Sequence, residues 1–246
     1  MVDGMHPGQH LEAIARDAPV VRESARAAPG AVVAACPGWT ATDLAWHVGE
    51  VHHFWATVVA DRLTDPGGYV EPVRPDDDAA VLAFNEKSGR ALQETLAGTD
   101  PATPVWTWSN QHDVAFVVRR MAQETAVHRV DAERAGGRDH RIDAELASDG
   151  IDEFLVHFLP DVAADAPALG GSVHVHCTDV AGEWLVTTDA DGAYVVSREH
   201  AKGAAAVRGP AHDVLMVLWR RQRLDTVEVL GDRDVAERFV ARTNLE

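Results

Sequence analysis

Cysteine is scarce. Only Cys36 and Cys177 occur in 246 residues, far apart and in no C-x-x-C pair. That excludes a disulfide framework, a zinc finger and a dithiol redox motif, and in a reducing compartment both read as buried thiols. Basic residues are also few: Lys and Arg number 22 against 39 Asp and Glu, a formal net charge of -17. Such a surface repels phosphate backbones and anionic lipid, so no nucleic acid partner is expected. No run of about 18 apolar residues is present, and the opening MVDGMHPGQH lacks the basic and apolar regions of a secretory signal. The expectation is a cytoplasmic protein with no membrane association. There is no internal repeat and no low-complexity run, and the acidic patch Asp76-Asp77-Asp78 reads as a helix start.

What remains is an ordinary globular composition, 46% hydrophobic, with enough length for one large domain or two small ones. Apolar positions recur at helical spacing from about Leu11 to Ala28, and Pro29-Gly30 ends that run. A second helix is predicted behind Thr40 or Thr42 as N-cap, with Asp43 in the first turn, running to about Arg62 before Pro66-Gly67-Gly68. A third spans Asp76 to Ala97. A fourth runs from about His112 to Ala135 and is closed by Gly136-Gly137. A further helix, ELASDGIDEFLVHFL, reaches Leu159.

Beyond Pro160 the composition changes. DVAADAPALGG reads as a linker, and SVHVHCTDV and EWLVTTDADGAYVVSREH have strand character with a turn at Asp191-Gly192. HDVLMVLWRRQRL, TVEVLG and DRDVAERFVART then read as helix, strand, helix. The predicted fold class is α+β: a helical bundle over 1–160 followed by a small α/β domain over 171–246.

Two of the helices break their own apolar stripes. On the fourth, Val114, Val117 and Met121 are followed by Glu124 and His128 in the stretch ETAVHRVDAE. Positions four apart lie about 40° apart around a helix, so both polar groups point toward the bundle interior. On the second, the stripe Leu44, Val48, Val51, Trp55, Val58 takes in His47. By the same wheel His53 faces solvent and His52 lies at the stripe's edge. A buried carboxylate or imidazole must be paired, hydrogen-bonded or bound to a cation. Two histidines and a glutamate from facing helices match a catalytic zinc site, which leaves one coordination position open. Spacing alone leaves a structural polar cluster equally open, and HVGEVH is not the H-E-x-x-H zincin pattern.

Other motifs are weaker. VHVHC places His174 and His176 on one face of a strand and Cys177 on the other, which reads as an exposed strand face before it reads as a second metal site. DADG at Asp189–Gly192 resembles the start of a calcium loop. The twelfth position is His200, which cannot supply the bidentate carboxylate, so a hairpin turn is expected. The basic run WRRQR at Trp219–Arg223 suits carboxylate recognition, or equally a solvated helix end.

Taken together, CPGWTATDLAWHVGEVH, ETAVHRVDAE, ASDGIDEFL and LWRRQRLDTVEVLGD resemble the mycothiol-dependent maleylpyruvate isomerase family, among the DinB-like four-helix metalloenzymes. The resemblance covers nearly the whole chain. It implies a DinB-like bundle, a sterol-carrier-like C-terminal domain and a divalent metal, usually zinc, held by His47, Glu124 and His128. It also implies an active-site arginine, best matched by Arg221 with Arg220 and Arg223 close by. The implied activity uses mycothiol on a small electrophilic substrate, either as cofactor of a cis-trans isomerisation or as nucleophile in S-transfer. Trp39 and Trp46 could wall such a site, although core packing suits both. A non-catalytic metal- or ligand-binding protein and a thiol-independent zinc hydrolase are the alternative readings.

Overall fold

A computed structural model of the chain describes residues 4–160 and 168–243; most of the expected linker lies outside them. The fold is α+β and divides into two compact units, His6–Arg141 and a second beginning at Ile142.

The first unit is built on four helices: α1 (Pro7–Ala27), α2 (Ala41–Ala60), α3 (Asp78–Ala97) and α4 (Val114–Ala135). The starts of α2, α3 and α4 are fixed by the residue in front of each. Thr40 caps α2 in a reciprocal box, its hydroxyl accepting from the Asp43 amide while the Asp43 carboxylate accepts from the Thr40 amide. Asp77 accepts from the Ala80 amide at α3, and Asp113 from the Phe116 amide at α4. The helices pack most extensively as α2 on α3 and α1 on α4, with a lighter seam between α2 and α4. Their shared core includes Val21, Leu44, Val48, Leu82 and Ala132. Each such leucine or valine withdrawn from water contributes about 1.5–3 kcal/mol.

The second unit holds α5 (Ala144–Glu153), which runs on into a π turn over Phe154–Phe158. The sequence joins this helix to the bundle; its packing instead lies with helix α6 (Ala211–Leu218) in the second unit. A five-stranded sheet follows: β1 (Val173–Cys177), β2 (Glu183–Thr188), β3 (Tyr194–Ser197), β4 (Ala205–Gly209) and β5 (Glu228–Gly231), in the order β3-β2-β1-β4-β5. Only β1 and β4 run parallel; the other neighbours are antiparallel. Helix α7 (Arg233–Arg242) closes the unit. Asp189 accepts from the Asp191 and Ala193 amides and Gly192 takes a positive φ of 83°, making the expected turn between β2 and β3.

Two differences from the sequence reading have local causes. Strand β4 is not foreseen, because GAAAVRGP is rich in alanine and glycine rather than branched residues. It pairs in parallel between β1 and β5 and is fixed by its neighbours. The helix expected over HDVLMVLWRRQRL stops at Leu218, where Arg220 adopts a φ of 56° and the Arg221 and Gln222 amides turn back to the Met216 carbonyl. The basic run therefore forms the turn that ends this helix.

Candidate metal centre

Helix α2 brings His47 and helix α4 brings Glu124 and His128 to the seam between the two. His47 Nε2 lies 3.2 Å and His128 Nε2 3.1 Å from the same oxygen, Glu124 Oε1. The two rings are nearly perpendicular with centroids 5.1 Å apart. One donor atom from each of the three residues fits within a 4.8 Å span, which makes them a possible cation-holding set. The stripes predicted core-facing side chains, but the site is half-open: the His47 side chain is 32% exposed and that of Glu124 20%. The light α2–α4 seam leaves this access, whereas Leu44 and Val48, in the core cluster with Val21, Leu82 and Ala132, are fully buried.

The sequence reading missed two residues that hold the donors in place. Asp131, one turn beyond His128 and itself buried, accepts from His128 Nδ1 at 3.1 Å and so directs Nε2 at the site. The visible signal was H-R-V-D, a carboxylate three residues after an imidazole on one helix face. Arg120 donates to Glu124 Oε2 at 3.2 Å, taking one carboxylate oxygen and leaving Oε1 to the histidines. Cys36 also lies near His128 and Asp131, with donor atoms of the three inside the same 4.8 Å limit.

Electrostatics follow from this crowding. Burial by itself would raise the Glu124 carboxyl, but the His128 charge, hydrogen bonds from His128 and His47, and Arg120 hold it well below the usual carboxylate range. Burial by itself would lower His128, but Glu124 and Asp131 on either side of the ring raise it to about 9. The site thus favours positive charge at the place where a divalent ion would sit. Two imidazoles, one carboxylate oxygen and a second carboxylate on the far imidazole nitrogen form a donor set that fits zinc.

Of the remaining candidates, Trp39 packs against His47 with centroids 5.0 Å apart and borders the site. Trp46 instead lies on Phe84 at 4.7 Å and is a core residue. His52 is buried rather than marginal, and Nε2 meets the Thr125 hydroxyl at 2.9 Å. His53 meets the Tyr69 hydroxyl at 2.8 Å. Arg221 belongs to the second unit, where its guanidinium donates to the Trp219 carbonyl at 2.9 Å and lies 6.0 Å from the Trp219 ring centroid. Arg220 caps α7 by donating to the Val240, Ala241 and Thr243 carbonyls, and Arg223 pairs with Asp225. Neither Cys36 nor Cys177 is in a disulfide, and burial pushes the Cys177 thiol up to about 12, which leaves it inert. No helix among the described residues is long and apolar enough to cross a membrane.

Comparison with known proteins joins these features. Residues 10–133 match the family model described as the mycothiol maleylpyruvate isomerase N-terminal domain, and residues 145–238 match the MDMPI C-terminal domain. Two crystal structures titled as the mycothiol-dependent maleylpyruvate isomerase, one of them a histidine-to-alanine variant, are similar in fold. Their TM-scores are 0.59 and 0.60 at 13% and 12% identity, with 92% of this chain and 93% of each of those covered. No curated protein matched the chain. With matches to both domain models in register along the sequence, the chain belongs to the mycothiol maleylpyruvate isomerase family.

Proposed function

We propose that the protein is a divalent-metal-dependent, thiol-using enzyme that acts on a small electrophilic substrate, with mycothiol as the thiol. Its reaction is a cis-trans isomerisation or, where the substrate carries a leaving group, an S-transfer. The observation that carries this reading is the convergence of His47, Glu124 and His128 from two helices onto a half-open seam. Family membership supplies the thiol and favours isomerisation.

These three residues would hold the ion, zinc by the chemistry of the donors, and three protein ligands leave a coordination position for a small molecule. When bound, a divalent cation there favours the thiolate over the thiol form of an incoming thiol. Asp131 keeps the His128 Nε2 lone pair aimed at the site, and Arg120 fixes the rotation of the Glu124 carboxylate. Trp39 shields one side of His47 from water. Addition of the thiol to a conjugated double bond converts it to a single bond, rotation follows, and loss of the thiol restores the double bond as the trans isomer. Arg221 is proposed as the group that recognises a substrate carboxylate, because its planar fork matches one.

The test is the divalent metal content of purified protein under zinc-replete conditions, in wild type and in His47→Ala and Glu124→Ala. It is combined with incubation of the holoenzyme with mycothiol and cis enones, followed by chromatography. Loss of one equivalent of bound metal with either substitution, together with thiol-dependent isomerisation, is expected. A wild-type metal content that neither substitution lowers refutes the catalytic reading, and turnover without thiol would favour the hydrolase.

A further inference from the structure

The second unit carries a different constellation. Along β1 the residues Val173, Val175 and Cys177 are buried, while His174 and His176 alternate onto the other face. The β1–β2 register sets Glu183 directly opposite His176. His200 arrives from a distance in sequence, on the crossover between β3 and β4. That crossover passes tightly over the start of β1: a Cβ on Gly203 would stand 2.8 Å from the His174 amide nitrogen and 3.0 Å from the Ser172 carbonyl. Only glycine allows the approach.

The result is three imidazoles around one carboxylate. Glu183 Oε2 lies 3.1 Å from His174 Nε2 and 2.5 Å from His200 Nδ1, and Oε1 lies 3.4 Å from His176 Nδ1. The three rings stand nearly perpendicular to one another, with centroids 5.3 to 6.5 Å apart. One donor atom from each of the four falls within a 4.8 Å span. Arg208, the neighbour of His176 on β4, is turned to Glu228 at 2.7 Å, so its charge is paired away from the cluster.

We propose that His174, His176, Glu183 and His200 form a second, closed binding site for a zinc-class divalent cation, which ties the β3–β4 crossover to the face of β1 and β2. Imidazole nitrogen suits borderline cations such as zinc, and the single carboxylate brings the site to one net positive charge with the ion bound. Ligands at about 2.0–2.2 Å in a tetrahedron stand about 3.4 Å apart. The His174 and His176 contacts to Glu183 are already near that spacing. His200 is closer, but its side chain is 79% exposed on a loop and can retreat. Four protein ligands fill a tetrahedron, so this site holds structure rather than opening a position for substrate. The sequence alone could not assemble it, because 17 residues separate Glu183 from His200 and only the hairpin brings them together.

The test counts zinc in the full-length, tag-free protein after chelator stripping and reloading, by elemental analysis, with the cobalt-substituted visible spectrum as a second readout. A His47→Ala/His128→Ala double variant is expected to retain about one equivalent. Adding His176→Ala and His200→Ala is expected to abolish that equivalent and the tetrahedral cobalt bands. His200→Ala by itself, at an exposed loop position that does not threaten folding, should weaken zinc binding at this site by tenfold or more. Equal zinc content with and without His176 and His200 overturns the proposal. Failure of the bundle site reads differently: wild type would bind one equivalent, which the His176 and His200 substitutions remove.

Discussion

His52 should make the bundle sensitive to mild acid, and the size of the effect follows from its hydrogen bonds. The Thr125 hydroxyl donates to the Met121 carbonyl at 2.6 Å, so its one proton is committed and it can only accept from His52. The ring must then be the Nε2–H tautomer, with Nδ1 an acceptor that has no partner among the described residues, 3.4 Å from where a Gly89 Cβ would stand. Protonating Nδ1 would create a buried charge and an unanswered donor. Burial accordingly lowers His52 from 6.5 to about 4. Between those values the unfolded chain binds a proton that the folded protein refuses, so stability rises with pH. The contribution is complete above pH 6.5 and is lost as the pH falls toward 4, reaching a loss of about 2 kcal/mol by pH 5. Urea denaturation of wild type and His52→Gln at pH 7 and pH 5, both in chelator, isolates this term. Wild type should lose about 2 kcal/mol more than the variant. Equal losses in the two proteins would refute both the tautomer and the depressed pKa.

Three further outcomes follow. Asp131→Asn, which weakens the hold on His128 Nδ1, should lower zinc affinity of the bundle site by about 10- to 100-fold in a competition titration with little change in thermal midpoint. Gly231→Ala should destabilise by about 2–4 kcal/mol in denaturant titration, since φ is 78° and a Cβ would run into the Ala204 carbonyl oxygen. Arg220→Ala removes the guanidinium from the α7 carbonyls and should cost about 1–2 kcal/mol, with amide exchange accelerated in α7.

The helices of the first unit were legible because each carries its own instructions. Thr40 with Asp43, Asp77 and Asp113 are cap residues, and the stripes through Leu44 and Met121 mark the faces that become buried. His47, Glu124 and His128 were visible as polar interruptions of those stripes, a signal that needs only helical periodicity. What escaped depends on partners far away in sequence. Strand β4 takes its conformation from β1 and β5 rather than from its alanines. The histidines of β1 read as a solvated face, because neither Glu183 nor His200 can be placed beside them without the register of the sheet. The end of α6 turned on a left-handed arginine, a conformation that no side-chain preference announces.

The seam between α2 and α4 has one more implication. His47 and Glu124 lie 77 residues apart along the chain, and almost nothing but packing of two separately formed helices brings them into register. An ion held there would be a reversible staple across a long loop, whose closure entropy it shares with the hydrophobic core. Its release would leave the seam held by packing alone, so amide exchange along α2 and α4 should quicken when a chelator removes the metal.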